Sequence, residues 1–205
     1  MKYNYDDIYD RIKSLPKCDY DKLFEKLITR RSRIYAFPDV LSGITTISQS
    51  AFYYCAILSL TSLPNSITTI EANAFTSCSN LALTSLPENL ASIGTAAFSG
   101  CTRLALTSLP ESINTIGSSA FYGCTSLALT SLPESINTIE EYAFNNCTNL
   151  TSITFKGTPT KINSTAFRDC TNLTTINVPW AEGAVSGAPW GAPNATVNYN
   201  YVYTG

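Results

Sequence analysis

Six cysteines, Cys55, Cys78, Cys101, Cys124, Cys147 and Cys170, recur every 23 residues, each three positions after an Ala-Phe pair. Self-similarity at a fixed period of this length marks a solenoid. Each repeat is one coil of chain stacked on the next, so equivalent residues form ladders and the fold grows along an axis instead of closing around one centre. The same period places Phe52, Phe75, Phe98, Phe121, Phe144 and Phe167 in a second column beside the cysteines. A residue that returns once per coil is placed by packing, so the cysteines read as a ladder of buried thiols. Zinc is disfavoured, because CxxC spacing is absent and the chain has no histidine.

The repeat from Thr125 to Cys147 carries its apolar residues at Leu127, Leu129, Leu132, Ile136, Ile139, Ala143, Phe144 and Cys147. That spacing is neither purely 2 nor purely 3.6. A coil with a short strand at LALTSL, a turn at Pro133-Glu134, a return through Ile136 and Ile139 and a closing helical turn at Ala143-Phe144 buries all eight. Pro133 sits where a strand must stop, since it has no N–H for the ladder. Within the array the central repeats read LALTSL, but the last two read LTSITF from Leu150 and LTTINV from Leu173. Moving the middle apolar residue by one place turns a side chain to the other face unless a bulge compensates.

These residues resemble the BspA-like class of leucine-rich repeat, whose pattern runs Leu, Ile, Pro, Ile-Gly, Ala-Phe, Cys, Leu over about 23 residues. TSLPESINTIG from Thr107 and TSLPESINTIE from Thr130 carry the match, which spans Pro38 to Pro179. Departures fall at the ends, where Val40-Leu41 replaces Leu-Pro and Pro159 replaces an inward isoleucine. The resemblance implies a bacterial surface protein engaged in adhesion.

The expected fold is an α+β repeat solenoid of about six to seven coils in three parts. Residues 1–33 form a helical N-terminal cap or docking segment, 34–179 the repeats, and 180–205 an aromatic C-terminal cap. The first part rests on Ile8, Ile12 and Leu15 at helical spacing, then Asp19 as the cap of a second helix carrying Leu23, Phe24, Leu27 and Ile28. In the last, Trp180 and Trp190 flank a Gly/Ala/Pro-rich loop and would seal the apolar core, while a strand over residues 196–203 pairs with the last coil. The tail resembles those of bacterial and prophage repeat proteins.

Catalysis is disfavoured, because the absence of histidine removes the usual general base and the Ser-His-Asp and Cys-His arrangements. No cofactor is expected. Glu88, Glu111 and Glu134 repeat just after the turn-making prolines and read as solvated turns. The formal charge of −2 divides into nine Lys/Arg against six Asp/Glu in residues 1–33 and four against nine in residues 34–205. Neither part has the clustered cationic surface that nucleic-acid binding needs. No apolar run follows Met1 that could serve as a signal-peptide core, and no stretch is long enough to span a membrane.

Two polar columns remain, Thr61, Thr84, Thr107 and Thr130 beside Ser62, Ser85, Ser108 and Ser131. Side by side on one sheet they offer a flat hydroxyl surface for a glycan, a peptide edge or ordered water. They also serve as ordinary solubilising residues, with cross-strand threonine pairs adding a few tenths of a kcal/mol each. The expected function is a non-enzymatic scaffold, monomeric on its own, that binds a protein or glycan through this surface. The alternative is a structural or receptor-binding component of a phage or prophage particle.

Overall fold

The structure, a computed structural model, describes residues 44–56 and 58–203. The helical segment expected over residues 1–33, and Cys18 with it, lie outside the described residues. Among the described residues there are ten short strands: β1 (Thr46–Ile47), β2 (Thr69–Ile70), β3 (Ser92–Ile93), β4 (Thr115–Ile116), β5 (Ser131–Leu132), β6 (Thr138–Ile139), β7 (Ser152–Phe155), β8 (Lys161–Ile162), β9 (Thr175–Asn177) and β10 (Thr196–Asn198). They form two parallel sheets, β1-β2-β3-β4-β6-β8 and β10-β9-β7-β5. In the first sheet every Thr or Ser of one coil pairs with the residue 23 positions on, until Lys161 takes that place in β8. The repeats and the tail belong to one unit, Gly43–Gly205.

The α+β assignment is corrected by this architecture. Among the described residues there is no helix, and the molecule is a β-solenoid. The reason lies in the closing segment around each Ala-Phe pair, where backbone N–H groups alternate between two kinds of partner. Ala97, Ser99 and Cys101 donate to Gly94, Ala96 and Phe98, three residues back, closing tight turns. Between them Ala96, Phe98 and Gly100 donate forward to Ser118, Ala120 and Tyr122 of the next coil. An α-helix needs every N–H for its own carbonyl four residues back, so a segment that lends alternate N–H groups to its neighbour cannot be one. Two left-handed residues in each of the first five coils reinforce this: Ala96 at φ 52° and Gly100 at φ 73° flank Phe98, as Ser119 at 56° and Gly123 at 68° flank Phe121. Glycine takes that conformation without the Cβ penalty.

The apolar shift inside the array also finds its physical reason. Leu83 and Leu86 both point inward, as do Leu106 and Leu109, with two exposed residues between each pair. Side chains three apart cannot share one face of a pleated strand, and no strand forms at Thr84-Ser85 or Thr107-Ser108. In LTSITF the inward residues Ile153 and Phe155 are two apart, and β7 runs unbroken through both. The second sheet therefore begins only at Ser131-Leu132. The Thr/Ser columns expected on one sheet lie mostly on irregular backbone.

The interior is a set of stacked columns. Successive phenylalanine rings from Phe52 to Phe167 are nearly parallel, with centroids 5.1 to 5.6 Å apart. At the C-terminal end the column stops against Phe155, Trp180 and Trp190, whose rings meet edge-on or tilted at 5.3 to 6.2 Å. Trp190 also continues the backbone ladder, its carbonyl accepting the Phe167 N–H where Ala166 accepts that of Phe144. The tail strand is shorter than expected: β10 pairs with β9, and Tyr201 is then held by an N–H donated to Val178.

Candidate functional site

The cysteines line another interior column, all six of them buried. Each thiol from Cys78 to Cys170 donates to the carbonyl of a phenylalanine 26 residues back, at 3.0 to 3.1 Å. That carbonyl already accepts the N–H of the cysteine in its own coil, so Phe98 O holds both Cys101 N–H and the Cys124 thiol. Burial pushes these thiols up, and the charge that a neighbouring cysteine would carry raises Cys78, Cys101, Cys124 and Cys147 further. Cys170 is raised to about 12 by burial, against a lowering from the backbone of Cys147. A nucleophilic cysteine needs a stabilised, accessible thiolate, so this column is structural. Titration of native protein with a thiol reagent is expected to leave all six unreacted until the chain unfolds. Several fast-reacting groups beyond Cys18 would overturn the assignment.

The surface offers a better site. Along the Thr-Ser-Leu-Pro segments, irregular at Thr84-Ser85 and Thr107-Ser108 and joined to β5 at Ser131, a half-open groove of about 700 Å³ crosses successive coils from Asn65 to Lys156. Ser85, Ser108 and Ser131 line it, as do Glu88 and Glu111. Leu86, Leu109 and Pro133, all buried, supply its apolar floor. Of the residues singled out in the sequence, three serines therefore come together. Thr61, Ser62, Thr84, Thr107 and Thr130 are exposed but do not line the groove.

Sequence reasoning missed the groove's end. Lys156 reaches back two coils to pair with Glu111 at 2.7 Å, and the carboxylate raises the lysine above its ordinary value while burial lowers it slightly. The Tyr203 ring lies 5.5 Å from the same ammonium. The signal was visible as Lys156 in the place of Pro133. Beside it, Gly157 takes the place of Glu134 because a Cβ there would meet the Glu134 backbone at 2.5 to 2.8 Å. The carboxylate column ends for want of room.

Among the described residues no group of three or more His, Cys, Asp or Glu side chains could hold a metal. No helix among them is long and apolar enough to cross a membrane.

A stack of parallel coils with one leucine-rich segment, one Ala-Phe pair and one interior cysteine per turn defines a leucine-rich-repeat solenoid. The model for the BspA type leucine rich repeat region matches six copies over residues 45–174, and the chain belongs to that family. Repeats of this kind point to a binding or adhesion scaffold. Among solved structures, the chain is similar to a leucine-rich repeat protein of T. pallidum, at 28% identity over 64% of this chain and 73% of that one, with a TM-score of 0.48. A leucine-rich repeat protein from Bacteroides ovatus matches at 17% identity over 76% of this chain and 64% of that one, TM-score 0.45. The pneumococcal vaccine antigen PcpA matches at 22% over 67% of this chain but only 40% of its own length, TM-score 0.45. No curated protein matches the chain.

Proposed function

We propose that this chain is a non-enzymatic scaffold that binds a protein or glycan partner along the groove face of its repeats. The observation that carries this reading is the groove itself, where Ser85, Ser108 and Ser131 return at the coil period on one continuous surface. An enzyme pocket gathers a few convergent polar groups at one place; this half-open surface repeats the same groups from coil to coil. Contacts spread over several coils make single substitutions weak and combined ones strong.

The test is a binding screen of the intact chain on arrays of extracellular-matrix proteins and glycans, followed by two triple variants. S85K/S108K/S131K places three like charges along the groove and is expected to abolish binding of any partner found. T68K/A91K/N137K changes exposed positions beside the first sheet and is expected to leave it unchanged. Equal binding by both folded variants would move the site off the groove face.

A further inference from the structure

We infer that two copies of this chain pair edge to edge through β10, antiparallel and about a two-fold axis at Val197, so that the second sheet runs unbroken from one protomer into its partner. The inference is independent of the groove and departs from the monomer expected from the sequence. β10 ends the order β10-β9-β7-β5. Thr196 donates its N–H to Thr174 O, and Asn198 O accepts the N–H of Val178, so both residues turn their main-chain groups toward β9. Val197, between them, turns its N–H and C=O the other way, and among the described residues nothing pairs with them. A free strand edge is a template for another strand unless charge, proline, a bulge or a cover blunts it. The first sheet shows such blunting, since its last strand, β8, carries the exposed Lys161. β10 has neither charge nor proline, and no charged residue follows Glu182.

What fits this edge is its own copy. In an antiparallel pair centred on Val197, Thr196 meets Asn198 of the second copy and Ala195 meets its Tyr199, so polar residues oppose polar ones and apolar oppose apolar, as a self-complementary contact requires. With both main-chain groups facing outward, Val197 takes the hydrogen-bonded position. Thr196 and Asn198 then fall at the non-hydrogen-bonded positions, where opposing side chains come closest. A chain of side-chain hydrogen bonds already runs toward them: Asn177 Nδ2 donates to Thr154 Oγ1 at 3.1 Å, and Asn198 Nδ2 donates to Asn177 Oδ1 at 2.8 Å. It stops at Asn198 Oδ1, an acceptor. The Thr196 hydroxyl of the second copy, without a partner among the described residues, supplies the missing donor once on each side of the axis. Apolar surface gathers beside the strand as well, with Tyr201 39%, Val202 76% and Tyr203 48% exposed directly after it. Charge also selects the place of contact. Residues 34–205 carry nine Asp/Glu against four Lys/Arg, so two copies repel one another through net charge, and this uncharged edge lets them approach at least cost.

The experiment is sedimentation-velocity ultracentrifugation of the full chain from about 1 to about 200 µM, a range that captures the weak association of a small interface. A shift from one chain to two with rising concentration is expected. T196K/N198K sets lysines directly opposite one another across the axis and is expected to weaken association by about tenfold or more with melting unchanged. An equal mixture of that variant with T196E/N198E, each monomeric alone, is expected to restore the dimer. Amide hydrogen exchange of the unaltered chain needs no variant: the segment 194–200 is expected to exchange more slowly at high concentration than at low. Should either variant fail to fold, the exchange measurement decides alone. A chain that stays monomeric throughout, a dimer that T196K/N198K leaves intact, or exchange at 194–200 that ignores concentration would overturn the inference. So would protection of 194–200 by a strand of a different protein in a chain that stays monomeric.

Discussion

Raising the pH from about 8 to about 10 is expected to destabilise this protein steeply, because its cysteine column can lose protons only by unfolding. An unfolded cysteine ionises near pH 8.5, whereas burial holds the folded thiols well above their ordinary value, Cys170 at about 12 and Cys124 and Cys147 fully enclosed. The folded state thus binds its thiol protons more tightly than the unfolded state does. The stability this represents is complete below the unfolded value and is lost as pH climbs toward the folded one. Each such thiol contributes a slope of about 1.4 kcal/mol per pH unit in that window, and a column of them reaches several kcal/mol per unit. Urea unfolding at stepped pH measures it, with C101A/C124A as the comparison. That variant should lose part of the slope. A midpoint that hardly moves over this range would mean that the thiols are solvated.

Phe121→Ala should cost about 3–5 kcal/mol, the range for emptying a fully buried aromatic site. Phe121 stacks on Phe98 at 5.6 Å and on Phe144 at 5.4 Å and has no exposed surface. Its backbone N–H donates to Ala143 and its carbonyl accepts the Cys147 thiol, so the coils on either side are tied to its position and cannot collapse into the space. A solenoid couples only nearest neighbours, and a defect in mid-array should broaden the unfolding transition as well as shift it. Tyr122→Ala, one residue away and 45% exposed, should change stability by no more than about 0.5 kcal/mol. Similar losses for the two variants would show that the phenylalanine column is not the core.

How much of this was legible in the sequence follows from what repeats and what does not. The 23-residue period determined the stack, because a residue returning once per coil must meet its own equivalents, and the columns of Phe98, Phe121 and Phe144 and of Cys101, Cys124 and Cys147 follow from that alone. The two tryptophans at the end of the apolar column were legible for the same reason: once the repeat stops, something large and apolar must cover Phe155 and Phe167.

The secondary structure within a coil was not legible. Ala143-Phe144 reads as a helical turn by composition, yet whether an N–H turns back into its own coil or forward to the next depends on a neighbour 23 residues away, and local propensity carries no information about that partner. The groove was half visible. Its serine column could be read from Ser85, Ser108 and Ser131, but its floor and its end could not. Leu83 and Leu86 had to face inward together before the strand was seen to break at Thr84-Ser85, and Lys156 had to reach across two coils before Glu111 had a partner. Sequence period determines which residues stack; only the tertiary structure decides where the ladder between them opens, because that depends on how each coil shares its hydrogen bonds with the next.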